Sequence, residues 1–112
     1  MGIELELHSK RPACNNWKKA RATLLHGSYK HGDALARILA ELDRNGPGKL
    51  CWVDPYGNTL FNEQEAEAAL REVPRLLQQC TSESQAAAVH DLAALLKSCA
   101  TKPGSHLWFI GD

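Results

Sequence analysis

Long apolar runs, an excess charge and known catalytic motifs are all missing from this 112-residue chain. No apolar stretch approaches the roughly 20 residues that a membrane-spanning helix needs. Residues 1–4 also contain an acid, Glu4, at a position where a signal peptide has basic residues. We therefore expect a cytoplasmic protein without a membrane partner. A chain of this length buries roughly two-thirds of its unfolded surface, so the sequence predicts one globular domain over residues 1–112.

The net charge is zero, because 13 Lys and Arg balance 13 Asp and Glu. A nucleic-acid-binding domain usually has a pI above about 9, so this balance argues against a nucleic-acid partner. The charges are nevertheless segregated, since residues 8–32 hold six Lys or Arg and no acid. Within that stretch we interpret the basic patch of Lys18, Lys19 and Arg21 as a solvated helix face. Contact with phosphates or with an acidic partner is the alternative.

Signatures of disulfides, metals and cofactors are also missing. The four cysteines form no Cys-x-x-Cys pair, and reduced thiols are the better interpretation for an intracellular chain. Cys14 lies among basic residues, a setting that favours a reactive thiol, although no base can be assigned to it. The spacing of His26, His31 and Asp33 matches no zinc motif, and His8 or Cys14 would have to complete such a site. We predict no metal and no cofactor.

The first half of the chain contains short periodic segments. Residues 3–7 alternate between apolar and acidic side chains, which predicts a strand with one buried face. A helix over residues 16–27, capped by Asn16, would place Leu24 and Leu25 on its apolar side. A second helix, capped by Asp33, ends at the Asn-Gly-Pro-Gly run of residues 45–48.

Residues 50–62 combine two apolar runs with a turn between them. We predict strands over residues 49–53 and 59–61, paired as a hairpin. In the connecting turn, Pro55 has its φ angle preset and Gly57 is able to adopt a positive φ. This hairpin is expected to fix the architecture of the centre of the chain.

The second half is predicted to be mainly helical. Asn62 and Glu65 have the spacing of a capping box at the start of a long helix, which Pro74 kinks or divides. A further helix begins after a Thr-Ser cap, and the apolar run 107–110 predicts a central strand buried on both faces. The predicted order is β-α-α-β-β-α-α-β, an α+β fold of about four mostly antiparallel strands with helices packed on the sheet.

Polar and aromatic residues around the predicted hairpin form the candidate binding site, and no residue is assigned a catalytic role. Its members are Trp52, Asp54, Tyr56, Asn58, Asn62 and Glu63. Turn and capping chemistry already accounts for Asp54, Asn58 and Asn62. The fold does not obviously require Tyr56 or Glu63, and aromatic side chains beside acids suit a contact with a protein or a small ligand.

Two segments carry a resemblance to other proteins. Residues 54–62 read Asp-Pro-Tyr-Gly-Asn-Thr-Leu-Phe-Asn, and residues 107–112 read Leu-Trp-Phe-Ile-Gly-Asp. They resemble a group of small bacterial proteins that share a central Asp-Pro-Tyr-Gly-x-Thr-x-Phe-Asn run and an aromatic-aliphatic-Gly-Asp C-terminus. The resemblance covers these segments and their approximate spacing, not the first half of the chain. It implies no activity, cofactor or site residue.

Two functions are compatible with these patterns. We favour a small protein-binding module without catalytic activity, of the immunity or antitoxin type, because the chain is short and carries no catalytic motif. The alternative is a small enzyme or ligand-binding protein that uses the polar corner between Asp54 and Asn62, completed by His26 or Asp112. A cavity of roughly 300 Å³ or more beside Asp54 would favour this alternative. Homodimerisation through an open sheet edge is a third possibility.

Overall fold

Four antiparallel strands and five helices are formed by residues 2–13 and 15–111, the part of the chain that the computed structural model describes. In chain order the elements are β1 (Ile3–His8), α1 (Trp17–Arg21), β2 (Leu24–Ser28), α2 (Gly32–Ala40), a 3-10 helix (Leu50–Trp52), β3 (Asn58–Asn62), α3 (Glu63–Leu70), α4 (Val73–Gln79), α5 (Glu83–Ala100) and β4 (His106–Gly111). The predicted α+β class is confirmed.

The sheet has the strand order β2-β1-β4-β3, so β1 and β4 lie at its centre. Leu5 pairs with Phe109, and Leu7 pairs with Leu107. Because paired residues point to the same side of a sheet, these side chains share one face. The terminal apolar run is thereby confirmed as a central strand, and Trp108, which points to the opposite face, is also buried.

The main core lies between that face of the sheet and the helices. Helix α5 packs against α2, α3 and α4 and also contacts β1 and β4. Its residues Val89, Leu92 and Leu96 are fully buried. On the sheet side, the rings of Phe61 and Phe109 meet edge to face with centroids 4.9 Å apart. The core therefore joins the first strand, the last strand and the longest helix of the chain.

The predicted helix over residues 16–27 is wrong in its second half. Asn16 caps α1 as expected, since its side chain accepts a hydrogen bond from the Lys19 N–H, but α1 stops at Arg21. Leu24 and Leu25 belong to β2, which pairs with β1. The local apolar spacing is compatible with a helix, but the backbone of residues 24–28 finds its hydrogen bonds in the sheet instead.

The predicted strand over residues 49–53 is also wrong, and the central hairpin does not form. These residues include the 3-10 helix, and β3 pairs with β4 instead. The side chain of Glu72 explains the difference. Its carboxylate accepts the N–H groups of Lys49 and Leu50 at 2.7 and 3.4 Å, which removes two donors that a strand would use for pairing. The observed order is therefore β-α-β-α-β-α-α-α-β.

The capping box at the start of α3 and the break at Pro74 are confirmed. Asn62 Oδ1 accepts the Glu65 N–H at 2.8 Å, and Glu65 accepts the Asn62 N–H at 3.0 Å. Pro74 lies at the start of α4, where its missing N–H is tolerated. Asp33 does not cap α2, because that helix begins one residue earlier, at Gly32. Within the described part of the chain, no helix combines the length and apolar character needed to cross a membrane.

Candidate functional site

The segment 50–56 is held in place at both ends. At its start, the Glu72 carboxylate binds the backbone N–H groups that open the 3-10 helix, and Leu50 is buried in the core. At its end, the Asp54 side chain accepts the Tyr56 N–H at 2.9 Å, and Thr59 Oγ1 accepts the Asp54 N–H at 2.9 Å. The backbone of this segment is therefore fixed by hydrogen bonds to the distant Glu72, to Thr59 on β3 and within its own turn.

The turn after Val53 packs tightly against the end of β4. The Gly111 N–H donates to the Gly57 carbonyl at 2.8 Å, and a Cβ on Gly111 would lie 2.7 Å from the Asp54 carbonyl oxygen. Gly57 does not adopt the predicted positive φ, which among the described residues occurs only at Gly104. A Cβ at Gly57 would instead lie 2.6 Å from Asp54 Oδ2. Close approach to backbone atoms therefore requires glycine at position 111, whereas the contact at Gly57 is with the end of the Asp54 side chain.

Two large aromatic side chains project from this fixed segment into solvent. Trp52 is 63% exposed and Tyr56 is 68% exposed. The Lys49 ammonium group lies 4.6 Å from the centroid of the Trp52 ring, a cation–π distance that restrains the indole. Rigid, exposed aromatic side chains are typical anchors of protein interfaces.

Two clefts adjoin the segment, and both are lined in part by Leu42 and Cys51. The cleft beside Tyr56 has a volume of about 180 Å³, which is below the range of small-molecule sites, roughly 300–1,000 Å³. The larger cleft, of about 550 Å³, lies on the other side of Cys51 and is bordered by Glu72 and Arg75. Neither cleft is lined by Asp54.

The six residues of the predicted site do not lie together. Asn58 and Asn62 are the two ends of β3, so about 13 Å of extended strand separates them. Asn62 caps α3, and Glu63 accepts the Gly104 N–H at 3.3 Å. Trp52, Asp54 and Tyr56 lie in the segment that leads into the other end of the strand, at Asn58. Glu63 therefore has a structural contact that the sequence did not reveal.

Histidine 26 cannot complete the polar corner around Asp54. It lies on β2, at the opposite edge of the sheet from β3. Three strand spacings of about 4.8 Å separate the two edges. Asp112 and Cys14 lie outside the described residues. Among residues 2–13 and 15–111, no group of three His, Cys, Asp or Glu side chains is arranged to hold a metal ion.

The basic patch lies on α1. Lys18, Lys19 and Arg21 are all exposed, and the Arg21 guanidinium lies 5.8 Å from the centroid of the Trp17 ring. Trp17 is 63% exposed, the same fraction as Trp52. The basic patch therefore includes a third exposed aromatic side chain, distant in sequence from the segment 50–56.

A buried polar cluster on the outer face of the sheet was not predicted. His8 is fully buried, with Nδ1 2.8 Å from Thr23 Oγ1 and Nε2 3.0 Å from Glu6 Oε1. Tyr29 donates to Glu6 Oε2 at 2.7 Å, and its ring lies where a Cβ on Gly27 would be. In the sequence, the only indication of this cluster is that Glu6 and His8 are two residues apart on one strand, which places them on the same face. Their partners, Thr23 and Tyr29, lie immediately before and immediately after β2.

This cluster has the order hydroxyl, imidazole, carboxylate that hydrolases use. A nucleophilic hydroxyl must reach a substrate and give its proton to the imidazole. Thr23 is only 9% exposed, and its hydroxyl donates to the Ala20 carbonyl at 3.0 Å. We therefore interpret the cluster as a structural tie that joins β1 to the end of α1.

The phenol of Tyr29 gives a pH-dependent prediction. Partial burial and the hydrogen bond to the Glu6 carboxylate raise the pKa of Tyr29 to about 12, whereas an unfolded tyrosine titrates near 10. Because the folded pKa is the higher one, this stabilisation is complete below about pH 10 and is lost as pH rises towards 12. Urea unfolding of the wild type and of Tyr29→Phe at pH 8, 10 and 11 should show the wild type losing more stability. An identical decline in both proteins would contradict the assignment.

The three described cysteines are free thiols, as predicted. Burial raises the pKa of the Cys80 and Cys99 thiols, so both stay protonated near neutral pH. Cys51 donates to the Gly48 carbonyl at 2.9 Å at the margin of the clefts. None of these thiols is arranged as an activated nucleophile.

Comparison with protein-family models, with curated proteins and with solved structures found no match to this chain.

Proposed function

We propose that this protein is a small binding module for another protein, without catalytic activity of its own. Its contact surface is centred on the segment 50–56. The observation that carries the proposal is the exposure of Trp52 and Tyr56, 63% and 68%, on backbone that hydrogen bonds hold at both ends. Because this backbone is already ordered, a partner that covers these side chains loses little affinity to backbone ordering.

The small size of the cleft beside Tyr56 supports a protein partner over a small ligand at this position. The cleft beside Tyr56, about 180 Å³, has room for one or two side chains of a partner and is small for a metabolite. Tyr56 lines this cleft, and the larger cleft shares Leu42 and Cys51 with it. Exposed aromatic side chains beside a small depression are the kind of surface on which interface hot spots occur.

The polar groups near the turn support the same proposal against the enzyme alternative. A general acid or base needs a carboxyl group that is free to reach a substrate. Asp54 is engaged by the turn backbone, and Asn62 is engaged by the cap of α3. The corner therefore offers few uncommitted polar side chains for catalysis.

A matched pair of tryptophan variants tests the proposal. Trp52→Ala should weaken partner binding by about 30-fold or more, the size of an interface hot spot of about 2 kcal/mol. Trp17→Ala removes an equally exposed indole and should retain the partner bound through segment 50–56. The tagged proteins are used to recover partners from a native lysate, followed by calorimetry with the purified partner. Far-UV circular dichroism checks that both variants are folded.

Equal recovery of the same partner by Trp52→Ala and the wild type would overturn this proposal. Tyr56→Ala provides a second variant on the same surface. An immunity or antitoxin role is the specific form that we propose, and it requires the partner to be a toxic protein encoded beside this one. Mass spectrometry of the material that Trp17→Ala retains and Trp52→Ala loses identifies that partner.

A further inference from the structure

Strand β2 forms one edge of the sheet. Its one strand neighbour among the described residues is β1, so the outer side of residues 24–28 presents backbone N–H and C=O groups to solvent. The strand is nevertheless well fixed. The Ser28 hydroxyl donates to the Asp91 carboxylate on α5, and the Ser9 N–H donates to the Thr23 carbonyl at 2.9 Å. A fixed, open edge is a template for a further strand.

Basic side chains flank this edge at both ends. The basic patch of α1 precedes β2, and Lys30 follows it; all of these side chains are exposed. In the described residues none of them forms an ion pair. Acids lie nearby as well: Glu6 is hydrogen-bonded to His8 and Tyr29, and Asp91 accepts the Ser28 hydroxyl. The exposed cations at the two ends of the edge have no ion-pair partner among the described residues, so they are available to attract an acidic segment.

Exposed apolar side chains accompany the basic ones. Trp17 is 63% exposed, Leu25 48% and Tyr29 49%. They come from α1, from β2 and from the residue just after β2. An added strand would pair its backbone with the edge and would also cover part of this apolar surface. Main-chain hydrogen bonds and apolar burial would then both contribute to its affinity.

We infer that β2 accepts an extended acidic segment of another protein as a fifth strand of the sheet. Main-chain hydrogen bonds to residues 24–28 supply the pairing, and acidic side chains of the segment meet Lys18, Lys19, Arg21 and Lys30. This site is separate from the segment 50–56, which lies by the opposite edge strand, so one module has two contact surfaces.

A second copy of this chain fits the edge poorly. Antiparallel pairing of β2 with itself brings Arg21 of one copy towards Lys30 of the other, and like charges in an interface are destabilising. Nucleic acid would satisfy the basic side chains, but it has no backbone that continues a β-sheet. An acidic extended peptide satisfies both the charge and the open edge.

The test uses the full-length ¹⁵N-labelled protein and the peptide acetyl-Glu-Thr-Glu-Val-Glu-Thr-Glu-amide. Chemical shifts and hydrogen exchange should change at the amides of residues 24–28. A peptide with Lys in place of Glu should bind at least about tenfold more weakly, because its charges meet like charges. Raising NaCl from 50 to 500 mM should also lower the affinity of the acidic peptide, since salt screens the attraction between exposed charges.

Matched charge reversals localise the effect. The double variant Lys18→Glu/Lys19→Glu should bind the acidic peptide about fivefold more weakly, or weaker still. Lys97→Glu with Lys102→Glu changes the net charge equally at exposed positions elsewhere and should alter binding by less than about twofold. Trp52→Ala should bind the peptide with the affinity of the wild type. The proposal for segment 50–56 and the inference for β2 can therefore be rejected independently.

Several outcomes would overturn the inference. Shift changes that leave the amides of residues 24–28 unaffected, or equal weakening of binding by both double reversals, would show that the peptide does not add to β2. A dimer in sedimentation velocity that the peptide dissociates would assign the edge to a second copy. A single-stranded DNA octamer that displaces the peptide would assign the basic surface to nucleic acid.

Discussion

Replacing Phe109 with alanine should lower the free energy of unfolding by about 3–5 kcal/mol. Phe109 is fully buried on the central strand β4, where it pairs with Leu5 on one side and Thr59 on the other. Its ring also meets Phe61 edge to face at 4.9 Å. The substitution removes the transfer free energy of the ring and leaves a cavity that the surrounding strands and α5 cannot fill.

Equilibrium urea unfolding followed by tryptophan fluorescence measures this effect. Phe109→Leu keeps most of the buried apolar surface and should lose less stability than Phe109→Ala. Trp17→Ala, at an exposed position, should change stability by no more than about 0.5 kcal/mol. A loss below about 1 kcal/mol in Phe109→Ala would mean that β4 is not the centre of the core.

Replacing His8 with alanine should lower the free energy of unfolding by about 3 kcal/mol. The ring is fully buried and bonded through both nitrogens, and it lies 5.7 Å from the ring of Trp108. Its removal leaves a cavity and takes away one partner each from Glu6 and Thr23. Glu6 keeps the hydrogen bond from Tyr29, so the carboxylate is not left without a donor.

A double-mutant cycle separates the polar contacts from the packing of the ring. Thr23→Val and Glu6→Gln should each cost about 1–2 kcal/mol in the wild type. Each substitution should cost less in the His8→Ala background, because its partner is already missing. Additive losses at pH 7, measured by urea unfolding, would show that the hydrogen bonds of His8 contribute nothing to stability.

Part of the fold follows from contacts within a few residues. The alternation in residues 3–7 and the apolar run 107–110 correctly predicted the two central strands. The capping box of Asn62 with Glu65 and the break at Pro74 are set by hydrogen bonds and by sterics inside four residues. Such features need no knowledge of the rest of the molecule.

The two wrong elements depend on distant partners. Residues 49–53 are apolar enough for a strand, but the carboxylate of Glu72, 23 residues from Lys49, binds their backbone donors and favours a 3-10 helix. Leu24 and Leu25 have helical spacing, and pairing with β1 places them in a strand. In both places the backbone takes the conformation that satisfies its hydrogen bonds, and the partners are far away in sequence.

The candidate surfaces likewise depend partly on local sequence and partly on the tertiary structure. The sequence by itself singled out Tyr56 and Glu63 as side chains that the fold does not obviously require, since turn and capping chemistry accounts for Asp54, Asn58 and Asn62. Only the tertiary structure gave Glu63 a structural contact with Gly104, joined His8 to Tyr29 through Glu6, and left β2 as an open edge. The physical reason is that caps and turns are decided by neighbouring residues. Burial, long-range hydrogen bonds and strand order are decided by which distant segments the core brings together.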